Sequence, residues 1–147
     1  MKIGVSSCLL GINCKYNGLS NYNEGIIKLK EKYELVPICP EVLGGLPTPR
    51  IPAEIIGDKV INQSNIDVTY NYQEGAKKAL KILRDNNINV VILKSKSPSC
   101  GRDKVYDGSF NHTLIDGSGI AAKLFKENNI TIYDENDYML LLNKNCS

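Results

Sequence analysis

Four short runs of apolar, β-branched residues, at positions 2–5, 34–38, 89–93 and 130–133, punctuate this chain and leave it few folds to choose from. They are nearly all apolar rather than alternating, the pattern of strands covered on both faces. Between them the hydrophobic period changes. Ala76, Ala79, Leu80 and Leu83 recur at i, i+3, i+4 and i+7, the stripe of an amphipathic helix, with Thr69 as its N-cap and Asn86-Asn87 as its stop. Ile120, Ala121, Leu124 and Phe125 mark another helix, opened by Asp116-Gly117 and closed by Asn128-Asn129. Further helices are expected over 24–32 and 137–142. Strands alternating with helices require crossover connections and a mainly parallel sheet. The predicted class is α/β: a Rossmann-like or flavodoxin-like three-layer sandwich. At 147 residues it is expected to form one domain over 1–147.

One segment breaks the alternation. Five of the six prolines fall between positions 37 and 52, around Gly44-Gly45, which argues against helix or central strand there. Residues 53–56 and 59–61 then flank Gly57-Asp58, a two-residue hairpin signal. The expectation is a rigid loop and a small hairpin folded over one end of the sheet.

Cys8 follows the first strand run, Cys39 the second, and Cys100 lies a few residues past the third. In a parallel sheet all three emerge at the carboxyl edge, where open α/β folds place their ligands. Three unrelated buried thiols would be the bland account. Three converging thiolates suit zinc or an iron–sulfur cluster. A closed zinc site needs a fourth ligand, for which the single histidine, His112, is the available imidazole, although its loop setting reads as surface. Around one zinc the thiolates would sit roughly 3.8 Å apart, whereas a four-iron cluster needs a wider triangle. Cys14, in the same loop as Cys8, reads as a spare, and Cys146 sits where chains usually fray.

Composition supports a reduced setting. The apolar stretch at 3–5 is too short for a signal-peptide core, and no run approaches a membrane span. A cytoplasmic location is expected, with five cysteines reading as metal-binding or catalytic rather than as disulfides. The net charge is +2 with no clustered basic stretch, so neither a nucleic acid nor a membrane is an expected partner, and a small-molecule substrate is.

An ordered set of motifs spans the chain: Ser7-Cys8-Leu9-Leu10-Gly11, Cys39-Pro40-Glu41, Gly44-Gly45-Leu46-Pro47-Thr48-Pro49-Arg50, Asp67-Val68-Thr69, Leu93-Lys94, Ser97-Pro98-Ser99-Cys100-Gly101 and Tyr106-Asp107-Gly108. Together they resemble the thiouracil desulfidase family. The resemblance implies a [4Fe-4S] cluster held by Cys8, Cys39 and Cys100, with the fourth iron free. It implies removal of sulfur from a thiolated uracil without net redox change, releasing sulfide, with Glu41 and Ser97 assisting attack and proton transfer. The chain departs from the family pattern at Cys14, at Lys15-Tyr16-Asn17-Gly18 and at Asp116-Gly117-Ser118-Gly119.

Other groups carry two readings each. Glu41 is a proton acceptor beside a ligand, or the ion-pair partner of Arg50. Arg50 clamps a substrate carbonyl or braces its loop. Gly44 and Gly45 permit close approach to substrate, or shape a turn. Lys94 donates to substrate or is solvated. The rival functions are a non-enzymatic metal-binding protein, whether structural zinc or cluster carrier, and a phosphatase. The phosphatase is weak, because Cys14 stands where a phosphate-binding loop after Cys8 needs arginine.

Overall fold

The computed structural model describes residues 1–144. The chain runs β1 (Lys2–Ser6), a 3-10 turn (Ser7–Leu10), α1 (Glu24–Ile27) continued by a 3-10 turn (Lys28–Glu31), β2 (Glu34–Ile38), α2 (Pro40–Leu43), β3 (Ala53–Ile56) and β4 (Lys59–Asn62). It continues through α3 (Thr69–Asp85), β5 (Val90–Leu93), β6 (Lys104–Tyr106), β7 (Leu114–Asp116), α4 (Ile120–Glu127), β8 (Thr131–Asp134) and α5 (Met139–Lys144). The main sheet has the order β2-β1-β5-β8, with every pairing parallel. The expected α/β sandwich is what forms. No helix among the described residues is long and apolar enough to cross a membrane.

Successive side chains of a strand point to opposite faces, and the core divides accordingly. Val91 and Leu93 pack with Ala76, Ala79 and Leu83 of α3 and Phe125 of α4. Ile92 joins Ile3, Val5, Ile26, Leu29 and Leu141 on the other face. Leu83, Ile92 and Phe125 are fully buried, and each contributes about 1.5–3 kcal/mol by leaving water. Gly4 sits where β1 passes under α3: a Cβ there would come within 2.7 Å of Leu83 Cδ2 and 2.9 Å of Val91 Cγ1.

Four local expectations need correction. The segment 24–32 is α-helical for one turn, capped by the Asn23 side chain accepting from Ile26 N–H, and then tightens to 3-10, as short helix ends often do. Thr69 is the first residue of α3 rather than its cap. Asp67 Oδ1 accepts the Thr69 N–H at 2.8 Å, while Thr69 Oγ1 accepts from Val60 N–H. The proline-rich segment does contain a helix, α2, because Pro40 occupies a first-turn position that needs no N–H donor. Pro37 lies in β2, which tolerates it as an edge strand. Finally, β6 and β7 form a small antiparallel hairpin, so Asp116 ends a strand and α4 begins after Gly119. The β3–β4 hairpin is as expected, extended to Asn62.

Candidate active site

Strands β2, β1 and β5 are neighbours, and each delivers a cysteine at its carboxyl end. Cys8 lies in the 3-10 turn after β1, Cys39 between β2 and α2, and Cys100 in the loop after β5. All three line one cavity of about 640 Å³. Among the described residues no three His, Cys, Asp or Glu side chains converge closely enough to grip a single metal ion. The three thiols share this chamber.

Their environments differ. Burial pushes the Cys100 thiol up to about 12, against hydrogen bonds from Ser6 and Ser99. Burial also raises Cys8, although Asn21 Nδ2 donates to its sulfur at 3.4 Å. Cys39 is lowered, because the Cys14 thiol and the Val42 N–H both donate to it and outweigh its burial. Cys14 is therefore no idle spare: it is 7% exposed and lines the cavity with its thiol on a predicted ligand. Cys146 lies outside the described residues.

Glu41 reaches the cavity from α2, whose position is set by close packing on α3. A Cβ at Gly75 would lie 1.8 Å from the Pro40 carbonyl oxygen, and one at Gly44 would lie 2.0 Å from that of Asn71. Asn71 Nδ2 donates to the Gly44 carbonyl at 2.9 Å. The Glu41 carboxylate is enclosed by donors. Oε1 accepts from Arg50 Nε at 2.9 Å and the Tyr72 hydroxyl at 3.0 Å. Oε2 accepts from Ser99 Oγ at 2.9 Å and Ser97 Oγ at 3.5 Å. Burial and the neighbouring carboxylate hold the Tyr72 pKa well above its ordinary value, so Tyr72 remains a donor. Ser97 Oγ accepts the backbone N–H groups of Ser99 and Cys100, each at 3.0 Å, and lies 2.9 Å from Ser99 Oγ. With its lone pairs taken, Ser97 directs its own proton toward Ser99 and Glu41.

The family model for 2-thiouracil desulfurase matches residues 3–137. The chain belongs to the 2-thiouracil desulfurase family. Protein YbbK of Bacillus subtilis (strain 168) is 45% identical over 143 residues, covering 90% of this chain and 95% of the relative. The solved structure of the [4Fe-4S]-dependent thiouracil desulfidase TudS (DUF523Vcz) superposes with a TM-score of 0.92 at 36% identity, covering 99% of both chains.

In this desulfurase-family chain the other groups singled out from the sequence separate by position. Arg50 lines the cavity but is committed to the protein: besides Glu41 it donates to the Pro47 carbonyl, Thr48 Oγ1 and the Cys14 carbonyl. These bonds brace the loop that carries it. Gly44 and Gly45 lie behind α2, where Gly44 packs on α3 and Gly45 turns the chain at φ +88°, away from the cavity lining. Lys94 lines the cavity and pairs with Glu135 Oε2 at 2.6 Å. His112 also lines the cavity, with Tyr106 set edge-on to its ring at 5.6 Å between centroids.

Sequence reasoning missed Ser99, Tyr72 and Glu135. Ser99 lay inside the Ser-Pro-Ser-Cys-Gly run, next to a cysteine already chosen. Glu135 follows the last strand, at the same carboxyl edge as the cysteines. Despite its burial, Glu135 is held below the usual carboxylate range by Lys94 and the Ser95 N–H. Nothing local marked Tyr72, which meets Glu41 across 31 positions.

Proposed function

We propose that this chain is a [4Fe-4S]-dependent desulfidase that exchanges the sulfur of a thiolated uracil for oxygen and releases sulfide. The observation that carries the reading is the cavity shared by three strand-end thiols and the enclosed Glu41 carboxylate, in a chain of the desulfurase family. A cluster carrier would use the thiols but has no work for a carboxylate held among two serines, a tyrosine and an arginine.

Cys8, Cys39 and Cys100 fit the cluster by chemistry: three soft sulfur donors from separate loops. Bound there, the cluster supplies an iron free of protein thiolate, a Lewis acid with affinity for sulfur. The protein supplies the proton handling. The overall exchange is C=S plus water giving C=O plus hydrogen sulfide, with no electrons gained or lost. Water must lose a proton as its oxygen bonds the ring carbon. Glu41 Oε2 receives it, directly or along the hydroxyls of Ser97 and Ser99, and returns it to the departing sulfide. Arg50 and Tyr72, both on Oε1, keep that carboxylate aimed while the other oxygen works. Lys94 forms part of the wall, and its partner Glu135 holds the loop after β5 through Ser95.

Iron and sulfide analysis after anaerobic reconstitution tests the assignment. Single Ser replacements at Cys8, Cys39 or Cys100 are expected to lose most cluster iron, while Cys14→Ser retains it. Loss in Cys14→Ser equal to that of the other three would mean a fourth thiolate ligand and no free iron.

A further inference from the structure

The loop of residues 107–113, between β6 and β7, is built in an unusual way. Asp107 N–H bonds the Thr113 carbonyl at 2.9 Å and closes its base. Above that base Gly108, Phe110 and His112 all take positive φ, at 95°, 60° and 57°. Bulky L residues rarely adopt this conformation, and where they do a surrounding constraint holds them.

The constraint comes from the other hairpin. Glu54 of β3 is 7% exposed, and its Oε1 accepts both the Gly108 N–H at 3.0 Å and the Phe110 N–H at 3.1 Å. The loop is pressed onto β3 so closely that a Cβ on Gly108 would lie 2.5 Å from Ile56 Cγ1. At its other side β6 bridges Lys96 to Val105, tying the hairpin to the loop that carries Ser97 and Cys100. A buried carboxylate is thus spent on two backbone donors, and the outcome is that Phe110 and His112 line the same cavity as the cysteines. The thiols, the serine hydroxyls and these two rings thus line one and the same cavity.

We propose that Phe110 is the face on which the ring of the substrate stacks, and that Glu54 is a positioning residue that holds Phe110 there. The identity of the ring as a pyrimidine rests on the desulfidase reading. A planar heteroaromatic ring gains most from such a face, since stacking on an aromatic side chain needs no particular substituent. Phe110 thereby favours flat rings over other sulfur compounds of similar size.

The test uses cluster-loaded protein and uracil as a non-reacting probe, titrated by saturation-transfer NMR, alongside steady-state kinetics with 2-thiouracil. Phe110→Ala is expected to weaken uracil binding roughly 5- to 100-fold. KM should rise in step, with kcat and iron content changed by less than about twofold, the mark of lost uniform binding. Phe110→Tyr keeps the face and should restore binding, while Glu54→Ala should weaken uracil in the same direction as Phe110→Ala. Unchanged uracil affinity and KM in Phe110→Ala would overturn the proposal, as would Phe110→Tyr binding as poorly as Phe110→Ala. Failure of the underlying reading looks different: uracil binding that depends on Phe110, with no sulfide released by the wild type, leaves the stacking face and removes the desulfidase.

Discussion

Ser99 Oγ stands 2.9 Å from Glu41 Oε2, tying the loop that carries Cys100 to the helix that follows Cys39. Proton handling and cluster binding therefore meet at one hydrogen bond. Glu41→Gln is expected to keep its iron and cluster absorption but to lose turnover by roughly 10²- to 10⁴-fold. Ser97→Ala and Ser99→Ala should show smaller losses. The measurement is the rate of sulfide release per cluster. Full turnover in Glu41→Gln with an intact cluster would place the base elsewhere.

Arg50 is the support under that carboxylate. Its side chain is 6% exposed, and removing it leaves Glu41 without its ion-pair partner. Breaking a buried pair from one side costs about 3–5 kcal/mol. Arg50→Ala should therefore lower the melting temperature by on the order of 10 °C. Arg50→Lys should recover little, because a single ammonium cannot replace a fork that also holds the Pro47 and Cys14 carbonyls. A melting temperature unchanged in Arg50→Ala would contradict this account.

Gly75 offers a stability test with an unusual sign. In an exposed helix interior, Gly→Ala gains about 1 kcal/mol of helix propensity. Here the added Cβ would meet the Pro40 carbonyl oxygen at 1.8 Å. Gly75→Ala is expected to destabilise the protein, to push α2 away from α3, and to reduce cluster retention by displacing Cys39. Thermal melting and iron content read the two effects separately. Stabilisation with full iron content would show that the α2–α3 contact does not set the site.

How much of this could be seen beforehand followed from physical range. The four main strands were legible because buried parallel strands must be apolar on both faces, and α3 because Ala76, Ala79, Leu80 and Leu83 share one stripe. The convergence of Cys8, Cys39 and Cys100 came with the topology. The β6–β7 hairpin was not legible. Its strands are three residues each, β7 is exposed throughout, and its place depends on Glu54, more than fifty positions earlier. α2 was hidden by its prolines, because composition argues against helix while Pro40 occupies the one turn that accepts it. For Arg50 the sequence offered both a substrate clamp and a loop brace paired with Glu41; its bond to the Cys14 carbonyl, 36 positions away, was beyond local reading.

Thiol reactivity in cluster-free protein should follow the local environments. The Cys14 thiol and Val42 N–H lower Cys39, whereas burial raises Cys8 and carries Cys100 up to about 12. The thiolate is the nucleophile, so alkylation speeds up as pH rises through each thiol's own pKa. Among Cys8, Cys39 and Cys100, at near-neutral pH Cys39 is expected to be alkylated first and Cys100 last; Cys14, whose thiol is held protonated on Cys39 and by burial, stays unlabelled longer than Cys39. Cys14→Ala removes a donor and should slow Cys39. Mass-spectrometric mapping after a short iodoacetamide pulse reads the order, and equal labelling of Cys39 and Cys100 would contradict it.

The central claim is that the cavity of Cys8, Cys39, Cys100 and Glu41 exchanges sulfur for oxygen without redox chemistry. Its most direct test is the product stoichiometry when anaerobically reconstituted protein is given 2-thiouracil or 4-thiouracil and no electron donor. Uracil and sulfide are expected to appear in equal amounts over many turnovers per cluster. Sulfide release that stops after a single turnover unless a reductant is supplied, or no uracil from either substrate with a fully loaded cluster, would contradict the account.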